Sequence, residues 1–88
     1  MVESLFELRW GRPAAVLSIA MTISKERGSS LEETLKLIAG RSAGWVKSTA
    51  ETLLVDRGLR EKIVEDISGG LKPPENLVRE VKEELKFQ

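Results

Sequence analysis

The chain of 88 residues contains no cysteine and no histidine. These absences exclude disulfides, thiolate chemistry, zinc fingers and imidazole catalysis. Acid–base catalysis would then need paired carboxylates in an apolar cleft, but the adjacent acidic pairs fall at helical positions that we expect to be solvated: Glu32-Glu33, Glu65-Asp66 and Glu83-Glu84. Gly69-Gly70 is not followed by the Lys and Ser or Thr of a nucleotide-binding loop. We therefore expect no enzymatic activity, no metal and no cofactor.

The sequence also lacks net charge, because 14 Lys and Arg residues balance 14 Asp and Glu residues. This balance is unfavourable for a protein that relies on a general attraction to phosphates. A set of basic residues lies in the first half or just after it: Arg9, Arg12, Lys25, Arg27, Arg41 and Lys47. A set of acidic residues lies in the second half: Glu61, Glu65, Asp66, Glu75, Glu80, Glu83 and Glu84. That distribution allows a locally basic face, and it also allows the second half to dock on a basic partner.

No long hydrophobic run is present. The apolar segment from Ala14 to Ile23 has ten residues, whereas a transmembrane helix needs ~20. The N-terminus lacks the basic start, the apolar segment and the cleavage site of a signal peptide. We therefore expect a cytoplasmic protein with no membrane contact. With 32% charged residues, one Asn, one Gln and no Cys, the composition is typical of a thermophile.

The length predicts one domain over residues 1–88, built around a single core. At its start we expect a short helix over Val2 to Arg9, interrupted at residues 10–13. Pro13 suits the first position of a following helix, which should run through the apolar segment and end near Arg27.

A capping-box pattern marks the start of the next helix. Ser30 can accept from a free amide while Glu33 reaches back to the cap, which predicts that the helix begins at Leu31. Its apolar residues share one face: Leu31, Leu35 and Ile38. Gly40 can take the left-handed conformation that ends a helix.

A further helix should follow a turn formed by residues 40–43. Ser42 is a suitable N-cap for this helix, and Gly58 marks its end. The buried face of the helix is predicted from its apolar period: Val46, Ala50 and Leu53.

Seven residues in this region follow a pattern known from one superfamily: Leu35, Gly40, Ser42, Val46, Leu53 and Gly58-Leu59. The region from Glu33 to Leu59 thereby resembles the winged helix-turn-helix proteins, with one extra residue between Leu53 and Gly58. The resemblance implies a domain with a helix-turn-helix core. We predict an all-α fold of four to five helices, with the wing reduced or absent.

The resemblance also implies DNA binding and transcription regulation. The helix after the turn would enter the major groove of double-stranded DNA, and the domain would act as a dimer. Lys47, Ser48 and Thr52 would face the bases, and Arg41 would face a phosphate. Glu51 opposes this interpretation because its carboxylate repels phosphates. An ordinary solvated helix face is the simpler interpretation of the same residues.

The alternative function is a protein-interaction module or an accessory subunit of a larger nucleic-acid machine. Trp45 could be a lid on the core or an exposed contact residue, and Val55 lies on the predicted outward face. The final helix, predicted over residues 75–87, could pack on its own core or on a partner, including a second copy, through one apolar side: Leu77, Val78, Val81 and Leu85.

The sequence of residues 59–72 allows two interpretations, a short helix or a wing. Leu59, Ile63, Val64 and Ile67 have a helical period, which favours a short helix. A degenerate wing is the minority alternative, because Ser68-Gly69-Gly70 resembles a hairpin tip. The following Lys72-Pro73-Pro74 predicts a stiff break before the final helix.

Overall fold

The computed structural model describes the backbone of residues 2–86 and the side chains of residues 10–85. In this part of the chain there are five α-helices and no strand. The helices are α1 (Val2–Arg27), α2 (Leu31–Arg41), α3 (Gly44–Val55), α4 (Arg57–Ser68) and α5 (Glu75–Lys86). The predicted all-α class is confirmed. Residues 59–68 are helical, so the minority prediction of a wing was wrong.

Helix α1 is continuous over 26 residues and contains Pro13 in its interior. The prediction of two helices separated at residues 10–13 was therefore wrong. An internal proline removes one helical hydrogen bond and crowds the preceding turn. Burial on both sides of Pro13 offsets that cost, because Trp10 is 8% exposed and Ala14, Ala15 and the next two residues are fully or almost fully buried. None of the helices in the described part of the chain is long and apolar enough to cross a membrane.

Helix α1 forms the centre of the fold, since all four other helices pack on it. Helix α5 comes close to α1 at Gly11, where a Cβ atom would lie 3.5 Å from Cδ1 of Leu77. Val81 is fully buried in the common core, and Leu77, Val78 and Leu85 are half-buried against it. Of the two predicted arrangements for the final helix, the structure has the one that packs on the chain's own core. Phe87 lies outside the described residues.

The capping box at the start of α2 is confirmed. The backbone amide of Glu33 donates to Oγ of Ser30 at 3.1 Å, and the amide of Ser30 donates to Oε1 of Glu33 at 3.2 Å. Both amides would otherwise lack a helical partner. The helix begins at Leu31, as predicted.

The turn between α2 and α3 differs from the prediction. Gly40 is helical, and α2 continues to Arg41. The left-handed residue is Gly44, with φ of +62°. Ser42 does not cap α3, because its hydroxyl donates to the carbonyl of Ile38 at 2.6 Å and so closes the end of α2. The N-cap position of α3 is occupied by Ala43.

Helices α3 and α4 are separated by one residue, Asp56. Its amide donates to the carbonyl of Thr52 at 2.8 Å, and its Oδ1 accepts from the amide of Leu59 at 3.0 Å. Asp56 therefore ends α3 and caps α4. The prediction that the helix ends at Gly58 was wrong by three residues. Asp56 begins a new helix before Gly58 is reached, because aspartate is a favoured N-cap residue.

The buried guanidinium of Arg60 joins three helices. It donates to the carbonyl of Leu53 at 3.3 Å and to Oε2 of Glu32 at 3.4 Å. Glu32 also meets Arg57 at 3.8 Å, but the Arg57 side chain is 73% exposed. Arg60 thereby fixes α4 against the end of α3 and the start of α2.

Candidate interaction surfaces around helix α3

Helix α3 has one buried side and one exposed side. Val46, Ala50 and Leu53 are buried, as predicted. The opposite side carries five exposed residues that we call the α3 face: Lys47, Ser48, Glu51, Thr52 and Val55. The structure therefore brings together three of the four residues predicted to contact DNA.

Val55 is the most unusual residue of the α3 face. It is 87% exposed, and no other large apolar side chain is exposed among the side chains that the structure describes. A shallow groove lies beside it, lined by Ser48, Glu51, Thr52 and Asp56. The hydroxyl of Thr52 donates to the carbonyl of Ser48 at 3.0 Å.

The α3 face has no net charge. Lys47 supplies one positive charge and Glu51 one negative charge, and both side chains are exposed. Asp56 adds a second carboxylate at the C-terminal end of the adjoining groove. The electrostatic field along this face is therefore not that of a phosphate-binding strip.

The N-terminus of α3 is closed by a side chain from α5. Oε1 of Glu84 accepts a hydrogen bond from the backbone amide of Ala43 at 2.9 Å. The start of a helix carries partial positive charge and free amides, so it binds carboxylates and phosphates. Glu84 bonds one of these free amides, that of Ala43, and places a negative charge beside the start of α3. Sequence reasoning missed this contact because 41 residues separate its partners.

Trp45 is held by side chains from two other helices. Its Nε1 donates to Oε1 of Glu80 at 3.2 Å. The guanidinium carbon of Arg12 lies 5.3 Å from the centre of its ring, within the range of a cation–π contact. The side chain is half-buried and packs on the core. Trp45 therefore combines a place at the edge of the core with a partly exposed ring.

Three carboxylates line the groove between α5 and the start of α3: Glu80, Glu83 and Glu84. Glu80 and Glu84 are engaged by Trp45 and Ala43, respectively. In the part of the chain that the structure describes, no group of three or more acidic residues is arranged to hold a metal ion. The groove therefore places negative charge next to the start of α3.

The remaining predicted contact residues are dispersed. Arg41 is exposed at the end of α2, where it lines a groove with residues of α1 and α5. Val81 is buried inside the fold, so it presents no surface to a partner in this conformation. Leu77 and Leu85 are half-buried against the same core. Of the five residues predicted to contact a partner, Val55 is the one that is fully available.

No family model, curated protein or solved structure matches this chain. The resemblance to the winged helix-turn-helix superfamily therefore remains a prediction based on the residues between Glu33 and Leu59.

Proposed function

We propose that this chain is a protein-interaction domain that contacts another protein through the α3 face. The observation that carries the proposal is the exposure of Val55, which is 87% exposed on a side of α3 that none of the described elements covers. A single exposed apolar residue is common on protein surfaces. Here it stands among small hydroxyl side chains, Ser48 and Thr52, on a face without net charge. Such a face suits a partner surface that is apolar at its centre and polar at its rim.

The charges around α3 support a protein partner over DNA. In helix-turn-helix docking the first residues of the second helix meet the bases, and helix starts also bind phosphates. In this chain Glu84 accepts from the amide of Ala43 at the same place, and Glu80 is bonded to Trp45. These carboxylates would repel a DNA backbone that approached the start of α3.

DNA binding through the helix-turn-helix is the second candidate function. It is favoured by the packing of α2 against α3 and by the short turn between them. Lys47, Ser48 and Thr52 would face the bases, and Arg41 would face a phosphate. A homodimer would double the few phosphate contacts of one copy. A role in transcription regulation belongs to this candidate.

A cytoplasmic location is part of both candidates. The lack of cysteine is compatible with a reducing compartment, where disulfides do not contribute to stability. Binding without catalysis is the mechanism in either case.

Site-specific photo-crosslinking tests the proposed function. A photoreactive amino acid is placed at Thr52 on the α3 face, and at Lys62 on the exposed side of α4 as a matched control. Both proteins are irradiated in native lysate, with and without an excess of unlabelled chain. We expect position 52 to give a discrete crosslinked protein that the unlabelled chain displaces, and position 62 to give none.

A second variant links the crosslink to Val55. Val55→Asp in the position-52 protein should remove the crosslink, because an exposed carboxylate cannot replace an apolar contact in a desolvated interface. Val55 contributes almost nothing to the core, so the variant should remain folded, with a loss of about 0.5–1 kcal/mol because the new carboxylate lies at the C-terminus of α3 and one turn after Glu51. Urea unfolding of the variant checks that it is folded under the crosslinking conditions. A crosslink that persists in the Val55→Asp protein would overturn the α3 face as the contact surface.

A further inference from the structure

A second surface with recognisable chemistry lies where the ends of α1, α2 and α5 meet. A groove there has an apolar floor formed by Ile23, Leu37 and Leu85, with buried Ile38 beneath. Arg27 and Arg41 stand on its rim and are exposed. This groove shares no lining residue with the groove beside Val55.

The two rim arginines are not used by the fold. In the described part of the chain, neither guanidinium makes an ion pair or a side-chain hydrogen bond, whereas Arg57 and Arg60 both meet Glu32. Arg12 stacks on Trp45. Arg27 and Arg41 therefore keep all their donors for an external acceptor, and an arginine fork matches the geometry of a carboxylate.

The size of the groove restricts what can occupy it. Its volume is about 230 Å³, which is below the ~300–1,000 Å³ of typical sites for small molecules and cofactors. It suits one large apolar side chain on the floor. A nucleic-acid backbone has no apolar group that would fill the floor.

The charge on the rim restricts the occupant further. Glu26 also lines the groove, so the three charged rim residues together carry one net positive charge. One carboxylate balances that charge, whereas a polyanion would meet Glu26 as a repulsive neighbour.

We propose that this groove binds a partner protein through one large apolar side chain that is followed by an acidic residue. The apolar side chain contacts Ile23, Leu37 and Leu85. The carboxylate accepts hydrogen bonds from Arg27 and Arg41. The proposal goes beyond the function proposed for the α3 face, because it concerns a separate surface and stands or falls independently of Val55.

The test uses the full chain and three synthetic peptides, titrated while the side-chain methyl resonances are followed by NMR. The first is acetyl-Ser-Phe-Asp-Ser-amide, the second has Asn in place of Asp, and the third has Ala in place of Phe. We expect the first peptide to shift the methyl signals of Ile23, Leu37 and Leu85 with a millimolar or tighter Kd. The second and third peptides should bind at least fivefold more weakly.

Variants assign the binding to the rim arginines. The double variant Arg27→Gln, Arg41→Gln should bind the first peptide at least fivefold more weakly than the parent chain does. Arg79→Gln is the matched control, because Arg79 is an exposed arginine of α5 that does not line the groove. It should leave the affinity unchanged, as should Val55→Asp.

Four results would overturn the proposal. The first is an absence of methyl shifts at millimolar peptide. The second is equal binding of the Asp and Asn peptides, and the third is equal binding by the double variant and the parent. Inorganic phosphate that competes as strongly as the peptide would identify a simple anion site and would overturn it as well. The crosslinking test at position 52 concerns the α3 face, so its outcome does not depend on any of these results.

Discussion

Oε1 of Glu84 accepts a hydrogen bond at 2.9 Å from the backbone amide of Ala43, the residue that precedes α3. The last helix of the chain thereby supplies the cap that the local sequence of α3 lacks, since Ala43 has no side chain that can cap it. The same contact puts a carboxylate where a helix-turn-helix would meet DNA. One interaction therefore stabilises the fold and limits what the start of α3 can bind.

The first prediction concerns this cap. Glu84→Ala should lower the free energy of unfolding by about 0.5–2 kcal/mol, because a helix N-terminus loses its side-chain acceptor. Glu83→Ala is the control, since Glu83 is exposed on the same groove and makes no such bond. Urea unfolding followed by circular dichroism measures both variants. Equal effects of the two substitutions would show that Glu84 does not cap α3.

The second prediction concerns the buried arginine. Arg60→Met should destabilise the chain by about 1–3 kcal/mol, because the carbonyl of Leu53 loses its buried donor and Glu32 loses a partner. Arg57→Met should cost less than about 0.5 kcal/mol, because its 3.8 Å ion pair is exposed to solvent. The same unfolding measurement checks both. A smaller loss for Arg60 than for Arg57 would contradict the role of Arg60 in joining α2, α3 and α4.

The third prediction compares two glycines of the α2–α3 connection. Gly40→Ala should stabilise the chain by about 0.5–1 kcal/mol, because Gly40 is helical and no atom lies within 4 Å of the added Cβ. Gly44→Ala should destabilise it by about 1–2 kcal/mol, because φ is +62° there. Thermal unfolding of the two variants shows directly whether each substitution raises or lowers the stability. The reverse order would place the left-handed residue at Gly40, as the sequence pattern predicts.

The sequence predicts best those features that depend on neighbouring residues. The capping box joins Ser30 and Glu33, which are three positions apart, and is present with both hydrogen bonds. The helical period of residues 59–67 also depends on near neighbours, because residues three and four positions apart lie on one face of a helix. This period predicts α4. The break before α5 follows from two consecutive prolines.

The features that sequence reasoning missed depend on distant contacts. Pro13 predicts a helix boundary, but packing of α1 against four other helices keeps the helix continuous. The pairing of Arg60 with Glu32 spans 28 residues, and that of Trp45 with Glu80 spans 35. No spacing rule connects such residues. The predicted DNA-contacting residues Lys47, Ser48 and Thr52 share a face because they belong to one helix, whereas the charges that border α3 come from α5.

The measurement that tests the central claim most directly is a fluorescence-anisotropy titration of a labelled random-sequence duplex, beginning at low salt and repeated across a salt series. A protein-interaction surface bordered by Glu80 and Glu84 predicts no binding at micromolar protein, even where electrostatic attraction is strongest. Micromolar binding that weakens steeply with salt, and that is lost in the Arg41→Ala, Lys47→Ala double variant, would contradict the proposed function and establish the helix-turn-helix as a DNA-binding surface.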